Sequence, residues 1–473
     1  MTYHTHDLPV WIPFLTFTKA LPAHLPRLVL ARRWQPWYVR RCLVTQAVIE
    51  QLQLLDWEQL PLSLADRQPG ERLVPLAAYV GAYLVRLDQQ LRSFGALRRF
   101  LRDHPGLIWA LGFPLAGQRS GRLPFDPEFS LPTQTHLAKR LTSLPNELLQ
   151  NLLSSQVQTL QRQLRPAFGQ TVSIDTKHIL AWVRENNPKA FIKEGRFDKT
   201  AQPVGDPDCK LGCKRRHNQQ TPAAEGQPAN QKASIGEFYW GYASGVVATK
   251  VPGVGEFVLA ELTQTFDHGD TTYFLPLMDL VEQRLGGRPR YGTADAAFDA
   301  FYVYDYFHSP DHDGFAAVPL RKKRDDRQFD EQGAPLCAAG LPMALNGTFV
   351  NRTSLVQHRR GRYGCPLLHA KPRAKSCPAE HPHWRKGGCK LTMPMAPGAR
   401  IRYQLDRESD TYQQIYKQRT AVERIFSQAV ALGIERPKLR NQAAIANSNT
   451  LTYILINLRA MQRLDAAGLL ADC

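Results

Sequence analysis

Three acidic residues stand where a carboxylate can take part in chemistry. Asp175 ends the alternating segment Gln170-Thr-Val-Ser-Ile-Asp175, which has the two-residue period of a β-strand. Asp295 follows a second strand-like segment, residues 289–294, and precedes a helical pattern. Glu423 lies inside a third segment, which has helical spacing. Such oxygen ligands suit divalent cations, so we expect Asp175, Asp295 and Glu423 to bind metal and to be catalytic.

The predicted metal site would suit phosphodiester chemistry. Two Mg²⁺ or Mn²⁺ ions about 4 Å apart can activate an attacking oxygen and neutralise the leaving one. Each carboxylate also has a purely structural alternative. Asp295 can cap the helix that follows it, and Glu423 can pair with Arg419 four residues earlier.

The charge of the chain indicates a polyanionic partner. Its 473 residues include 60 Lys and Arg against 42 Asp and Glu, a formal net charge of +18. An anionic membrane surface would also fit, but no basic amphipathic anchor helix is visible, so nucleic acid is favoured. Residues 321–410 hold 18 Lys and Arg against 8 Asp and Glu, which is over half of the net charge.

Several residues near the carboxylates are predicted to contact DNA phosphates. At about 100° per residue, Tyr416, Arg419 and Glu423 share one helical face, which offers a phenol, a guanidinium and a carboxylate side by side. Lys177, two residues past Asp175, can add positive charge there or be an ordinary solvated lysine, and the basic segment begins with four cationic residues. The candidate DNA contacts are Tyr416, Arg419, Lys177, Arg321, Lys322, Lys323 and Arg324.

Composition excludes several classes of protein. A hydrophobic content of 43% with 10% aromatic residues excludes a mostly disordered basic tail. No apolar run reaches the roughly 18 residues of a membrane span. Residues 10–17 are apolar but do not follow a cationic segment, so we expect no secretory signal. Eight cysteines in so long a chain indicate reduced thiols in the cytoplasm.

The chain is too long for one hydrophobic core, which stops growing near about 250–300 residues. We predict an N-terminal helical, DNA-binding region over 1–165 and a first catalytic part over 166–320. A basic insertion of short strands and loops follows over 321–410. The second catalytic part, 411–473, carries the Glu423 helix and a C-terminal helix. Strands followed by alternating strand and helix predict an α+β or α/β mixed sheet with flanking helices.

Four cysteines lie in the predicted insertion, which has little apolar content. A structural zinc ion is one interpretation, with Cys365, Cys377 and Cys389 as ligands. Ordinary reduced thiols are the alternative, because the spacing is not the usual Cys-x2-Cys. Trp384 has two interpretations as well: it can stack on a displaced base or serve as the buried aromatic residue of a small domain.

The acidic motif resembles that of the DDE transposases of bacterial insertion sequences. In one large group of them, the third carboxylate lies in Tyr-x2-Arg-x3-Glu-x6-Lys. Tyr416, Arg419 and Glu423 match this signature in register, and Val430 stands where it has lysine. Residues 93–113 and 131–137 also look like the helical region that precedes such catalytic domains.

The resemblance implies an RNase H-like core, with Asp175 leaving the first, central strand and Asp295 the fourth. It implies an enzyme that cuts DNA at transposon ends with two Mg²⁺ or Mn²⁺ ions and joins the freed 3′-hydroxyls to target DNA. Its partners would be the terminal inverted repeats, the target duplex and a second copy of the chain, in the bacterial cytoplasm at the nucleoid. No membrane partner is expected.

Two other functions remain open. A basic DNA-binding protein without catalysis, such as a repressor or a domesticated transposase, would keep the same scaffold. The three carboxylates count against it, whereas Val430 leaves it open. A metal-dependent nuclease that hydrolyses DNA without strand transfer is the second.

Overall fold

The computed structural model describes residues 21–64, 72–117, 123–187, 196–214, 237–308, 313–321, 327–369 and 374–470. These residues form two compact units. Unit 1 contains the described parts of 1–168, 176–269 and 423–473, and unit 2 contains those of 169–175 and 270–422. No helix in the described ranges is both long and apolar enough to cross a bilayer.

The N-terminal part of unit 1 is helical, as predicted. Its helices are α1 (Trp37–Arg40), α2 (Leu43–Leu52), α3 (Leu76–Asp88), α4 (Phe94–Asp103), α5 (Pro105–Ala110), α6 (Pro127–Ser130), α7 (Gln134–Ser143) and α8 (Asn146–Leu164). Thr133 caps α7 by accepting a hydrogen bond from the His136 N–H. Helix α3 is buried on nearly every side and forms the centre of this helical part.

The sequence predicts a helical stripe of leucines that is interrupted at Pro145, namely Leu137, Leu141, Leu144, Leu148, Leu152 and Leu160. All of them are buried except Leu148. Directly after the proline, Leu149 is buried in place of the half-buried Leu148. The chain is extended at Pro145, so α8 starts with a new rotation about its axis.

Four strands follow: β1 (Thr171–Leu180), β2 (Lys210–Lys214), β3 (Glu237–Val251) and β4 (Gly255–Thr265). The sequence predicts strands over 238–249 and 256–265 joined by a turn at 252–255, and β3 and β4 form that hairpin, with Gly253 of the turn at a φ of 76°. The first part of β3 pairs with β2, which lies in the segment 186–236, rich in Gly, Pro, Asn and Lys, that we expected to be a loop.

In unit 2, the 3₁₀ turn Asp270–Tyr273 leads into α9 (Phe274–Leu285). Then come β5 (Tyr291–Thr293), the 3₁₀ turn Ala296–Phe298, α10 (Phe301–Phe307) and β6 (Phe315–Ala317). β1 pairs with β5, and β5 with β6, all in parallel. The sheet is hydrogen-bonded in the order β2-β3-β1-β5-β6, with β4 also on β3. The predicted mixed sheet with helices is therefore confirmed.

The basic insertion contains its own antiparallel sheet, as expected of short strands and loops. Its strands are β7 (Ala344–Asn351), β8 (His358–Gly364) and β9 (Lys390–Pro394), with β8 in the middle. The chain leaves it through α11 (Gly398–Gln404). The insertion lies wholly within unit 2.

The chain ends with α12 (Asp410–Tyr416), the 3₁₀ turn Lys417–Arg419, α13 (Thr420–Ala431) and α14 (Gln442–Ala466). The expectation of one unbroken helix over 412–430 is therefore wrong, because the 3₁₀ turn advances by about 120° per residue. In unit 1, α14 covers β4. The Asn457 side chain accepts from the Val258 N–H and donates to the Val258 carbonyl, both at 2.9 Å.

Candidate active site

Asp175 and Asp295 lie close to the paired residues of two neighbouring parallel strands. In the β1–β5 register, Ser173 lies opposite Thr293. Asp175 follows two residues later inside β1, which continues to Leu180, so the prediction that the strand ends at Asp175 is wrong. Asp295 follows two residues later, just past the end of β5, where its backbone is still extended. Adjacent strands are about 4.8 Å apart, and residues two apart face the same side of a sheet. The carboxylates therefore leave the same face of the sheet at the same level.

The surface beneath the two aspartates is polar although it is buried. Thr171, Ser173 and Thr293 lie on the same sheet face, and all three are buried. The Thr293 hydroxyl has no hydrogen-bond partner among the described residues. A buried polar atom without a partner is costly, so this floor suits a hydrated or charged ligand better than an apolar one.

Asp295 is held in an environment that disfavours its charge. Burial raises the pKa of its carboxyl above the ordinary value, and the nearby Asp270 carboxylate adds to the rise. The Ala297 N–H, which donates to Asp295 at 2.8 Å, and the Arg419 guanidinium act in the opposite direction. The predicted cap is thus present. It leaves an ionised Asp295 in need of further positive charge, which a divalent cation would supply.

Sequence reasoning missed Asp270, the acidic residue that starts the turn before α9. Its proximity to Asp295 adds a third carboxylate to this part of unit 2. The available signal was an aspartate at the first position of a predicted helix, which usually denotes only a cap. Nothing in its spacing distinguished it from such a cap.

A buried ion pair holds the turn that follows Asp295. The Asp299 carboxylate is fully buried and accepts two bonds from the Arg402 guanidinium, from Nε at 2.6 Å and from Nη2 at 2.5 Å. It also accepts from the Tyr304 hydroxyl at 3.0 Å and from the Arg321 N–H at 2.8 Å. The Asp299–Arg402 clamp therefore fixes the backbone four residues after Asp295.

Tyr416 and Arg419 lie together, as their spacing predicted. The Arg419 guanidinium stands 5.9 Å from the centre of the Tyr416 ring. Tyr416 also stacks on Tyr412, which stacks on Phe315 of β6, and its ring packs against the core beside β5 and β6. Tyr416 thus has a packing role that supports the position of Arg419.

Glu423, the third predicted ligand, is exposed on α13. It is the first residue of the C-terminal segment of unit 1, whereas Asp175 and Asp295 belong to unit 2. Among the residues that the structure describes, no three His, Cys, Asp or Glu side chains are already arranged to hold a metal ion. Of the three predicted ligands, only Asp175 and Asp295 lie in the same unit, so the described geometry concerns these two.

The remaining predicted DNA contacts differ in their surroundings. Lys177 forms an ion pair with Glu435 at 2.5 Å, within unit 1. The Leu180 N–H donates to the carbonyl of the same glutamate, so Lys177 helps to fasten this segment to β1. Arg321 contributes its backbone N–H to the clamp and exposes its side chain. Lys322, Lys323 and Arg324 lie outside the described residues.

The cysteines predicted as zinc ligands all lie in the insertion. Cys365, Cys377 and Cys389 are buried, and every described cysteine is a free thiol. Trp384 packs against Cys365 and Cys389, which agrees with its interpretation as a core aromatic. In unit 1, burial raises the pKa of Cys209 to about 12, and its thiol donates to the Asp206 carbonyl.

No protein-family model matches the chain. A comparison with curated proteins finds no significant match either. The site must therefore be interpreted from its own residues.

Proposed function

We propose that this protein is a DDE transposase that cuts DNA at transposon ends and joins the 3′-hydroxyl ends to target DNA. The observation that carries the proposal is that Asp175 and Asp295 each follow by two residues the paired residues Ser173 and Thr293 of adjacent parallel strands. The polar floor, the raised pKa of Asp295 and the net charge of +18 support it. Together they favour a cation site that works on a polyanion.

The strand order supports an RNase H-like core. β1 is central, with β3 on one side and the parallel strands β5 and β6 on the other. β5 is the fifth strand along the chain, and the fourth if the short β2 is not counted. Asp175 inside the central strand and Asp295 just after β5 support the proposed arrangement of the two aspartates.

Asp175 and Asp295 would hold Mg²⁺ or Mn²⁺, and the third ligand, Glu423, is what the sequence resemblance implies. Two such ions supply activation of the attacking oxygen and neutralisation of the leaving one. Arg419, near Asp295 and against Tyr416, is suited to hold a phosphate beside the site. The clamp between Asp299 and Arg402 would keep Asp295 in position while substrate binds.

The decisive experiment compares the native chain with Asp295→Asn on a labelled oligonucleotide that carries a transposon end. The amide keeps the acceptor that caps the turn but removes the charge. We expect Mg²⁺-dependent cutting and strand transfer to be lost and DNA binding to be retained. Asp313→Asn, at a side chain that is 99% exposed, is the matched control and should behave like the native chain.

Retained cutting in Asp295→Asn would overturn the metal assignment. Native protein that binds DNA but never cuts it would favour the non-catalytic alternative. Hydrolysis without branched joint molecules would favour the nuclease.

The DNA surface has its own test, which is the salt dependence of binding. Release of counterions from the DNA backbone makes the logarithm of affinity fall linearly with the logarithm of salt concentration. We expect a steep fall between low and physiological ionic strength, measured by fluorescence anisotropy. A flat response would contradict a surface that follows the DNA backbone.

A further inference from the structure

Three cysteines of the insertion each begin a tight turn. The Gly340 N–H donates to the Cys337 carbonyl at 2.9 Å, and the Leu368 N–H donates to the Cys365 carbonyl at 3.2 Å. The Cys377 carbonyl likewise accepts from the Glu380 N–H at 3.0 Å, with Glu380 at a φ of 47°. Turns of this kind fix the backbone around a thiol while leaving its sulfur free to bind a ligand.

Two of the turns are brought against the fourth cysteine. Cys365 and Cys389 are buried together with Met343, and Cys337 packs against them. The Ala338 N–H, next to Cys337, is hydrogen-bonded to Cys389. Gly388 comes so close to Cys365 that a Cβ there would lie 3.0 Å from the Cys365 sulfur. Three of the cysteines thus begin separate turns and Cys389 directly precedes β9, and Cys337, Cys365 and Cys389 share one small core.

Cys377 belongs to the same group. Its side chain is buried although its neighbours Ser376 and Pro378 are exposed. The Cys389 thiol is within electrostatic range of Cys337, Cys365 and Cys377. Cys377 is therefore near the cysteine that shares a core with Cys365.

We propose that the insertion carries a structural zinc site formed by the thiolates of Cys337, Cys365, Cys377 and Cys389. Zinc prefers four sulfur or nitrogen ligands in a tetrahedral arrangement, and a closed set of four thiolates is typical of structural sites. The set extends the sequence-based expectation by Cys337. It does not depend on the proposed transposase chemistry, which would use oxygen ligands elsewhere in unit 2.

The insertion needs such a crosslink. Its sheet of β7, β8 and β9 has few buried apolar side chains, and its core of buried residues consists of Met343, Cys365 and Cys389. Small segments with so little buried surface usually depend on a metal or on disulfides. In the described residues the sulfurs are not yet gathered around a common point. Rotation about the Cα–Cβ bond of each cysteine moves its sulfur without disturbing the turns.

Histidine ligands fit the described geometry less well. His381 and His383 lie beside each other, with ring centres 5.7 Å apart, and the His383 N–H donates to the His381 ring. His369 is exposed, although it lines the same cavity as Cys365. By contrast, Cys365 and Cys389 are buried in one cluster, Cys337 packs against it, and Cys377 is within electrostatic range of Cys389.

The test uses the full chain, purified with a reductant and with Zn²⁺ present, and measures metal content by mass spectrometry. We expect about one zinc ion per chain. Replacement by Co²⁺ should give the visible bands of a tetrahedral tetrathiolate site. Cys377→Ser and Cys389→Ser should lose the metal, whereas Cys213→Ser, at an exposed thiol on β2, should retain it.

Four outcomes would overturn the proposal. They are absence of bound zinc, equal loss in Cys213→Ser, a cobalt spectrum without thiolate bands, and two disulfides in the insertion under reducing conditions. If a variant fails to fold, the native chain remains informative: chelation by phenanthroline should release the zinc and expose four additional reactive thiols. Strand-transfer activity is not a readout here, so failure of this proposal leaves the proposed enzyme function untouched.

Discussion

The two aspartates and the four cysteines of the insertion differ in how the fold brings them together. Asp175 and Asp295 each lie two residues beyond the paired residues Ser173 and Thr293 of the parallel strands β1 and β5. Among the cysteines, Cys365 and Cys389 flank the last pair of the β8–β9 ladder, Gly364 and Lys390, whereas Cys337 and Cys377 begin separate turns outside any strand. Both groups lie in unit 2 and both crowd groups that carry negative charge when ionised. One presents hard oxygen ligands and the other soft sulfur ligands, so different metals suit them.

The contrast indicates what each site needs from the protein around it. The carboxylates rest on a sheet that is formed by packing and hydrogen bonds, so it should exist without metal. The cysteines belong to a segment with a very small core of its own, so its fold should depend on the ion. A ligand at the first site acts in function, whereas a ligand at the second acts in stability.

The largest effect is expected from the carboxylates. Asp175→Asn and Asp295→Asn should each reduce strand transfer by about 10³-fold or more, and the double variant should be no worse than either single variant. The reason is that two ligands of one site act as a unit. Rates from single-turnover assays would decide, and additive losses would show that the two carboxylates act separately.

A smaller effect is expected from the clamp. Asp299→Asn leaves the Arg402 guanidinium, whose side chain is 21% exposed, without its charged partner. Breaking a buried pair typically costs about 3–5 kcal/mol, so we expect a large fall in the free energy of unfolding. The matched control is Glu256→Gln, which breaks the pair with Arg424, whose side chain is 56% exposed. It should cost roughly 0–1 kcal/mol.

Urea unfolding followed by fluorescence measures both variants. Equal losses of unfolding free energy in the two variants would mean that the clamp stabilises unit 2 no more than an exposed ion pair does. If Asp299→Asn is as stable as the native chain but loses strand transfer, the clamp serves only to position Asp295.

The smallest effect concerns two glycines of the insertion. Gly388 and Gly340 have φ angles of 69° and 71°, so alanine is strained at both, by about 1 kcal/mol. A Cβ added at Gly388 would lie 2.7 Å from the Cβ of Cys365, whereas a Cβ added at Gly340 would have no neighbouring atom within 4 Å. We expect Gly388→Ala to weaken zinc retention more than Gly340→Ala in competition with a chelator. Identical zinc retention in the two variants would show that Gly388 does not border the zinc site.

Local patterns in the sequence predicted the elements that carry the carboxylates. Alternation and helical spacing identified β1, the β3–β4 hairpin and α14, because each has a regular period over many residues. The 3₁₀ turn at Lys417–Arg419 was beyond such reasoning, since it interrupts the helical period without any proline or glycine to signal it. The interruption at Pro145 was predicted, because proline breaks a helix.

Long-range pairs were not predictable from spacing. Asp299 and Arg402 are separated by the whole insertion, and neither lies in a recognisable motif. Asp270 approaches Asp295 only after the hairpin and α9 are placed. β2 was missed because its five residues acquire strand structure by pairing with β3. Such features depend on tertiary packing and leave no local pattern.

The Asp299 carboxylate is hydrogen-bonded to both ends of the insertion. The Asp299 carboxylate accepts a hydrogen bond from the backbone of Arg321, at the start of the insertion, and from the guanidinium of Arg402, near its end. Whatever lies between those two points can lengthen, shorten or be exchanged while its two ends stay tied together. The insertion could thus be exchanged in evolution without displacing its two ends, and in an engineered variant a short linker could replace it.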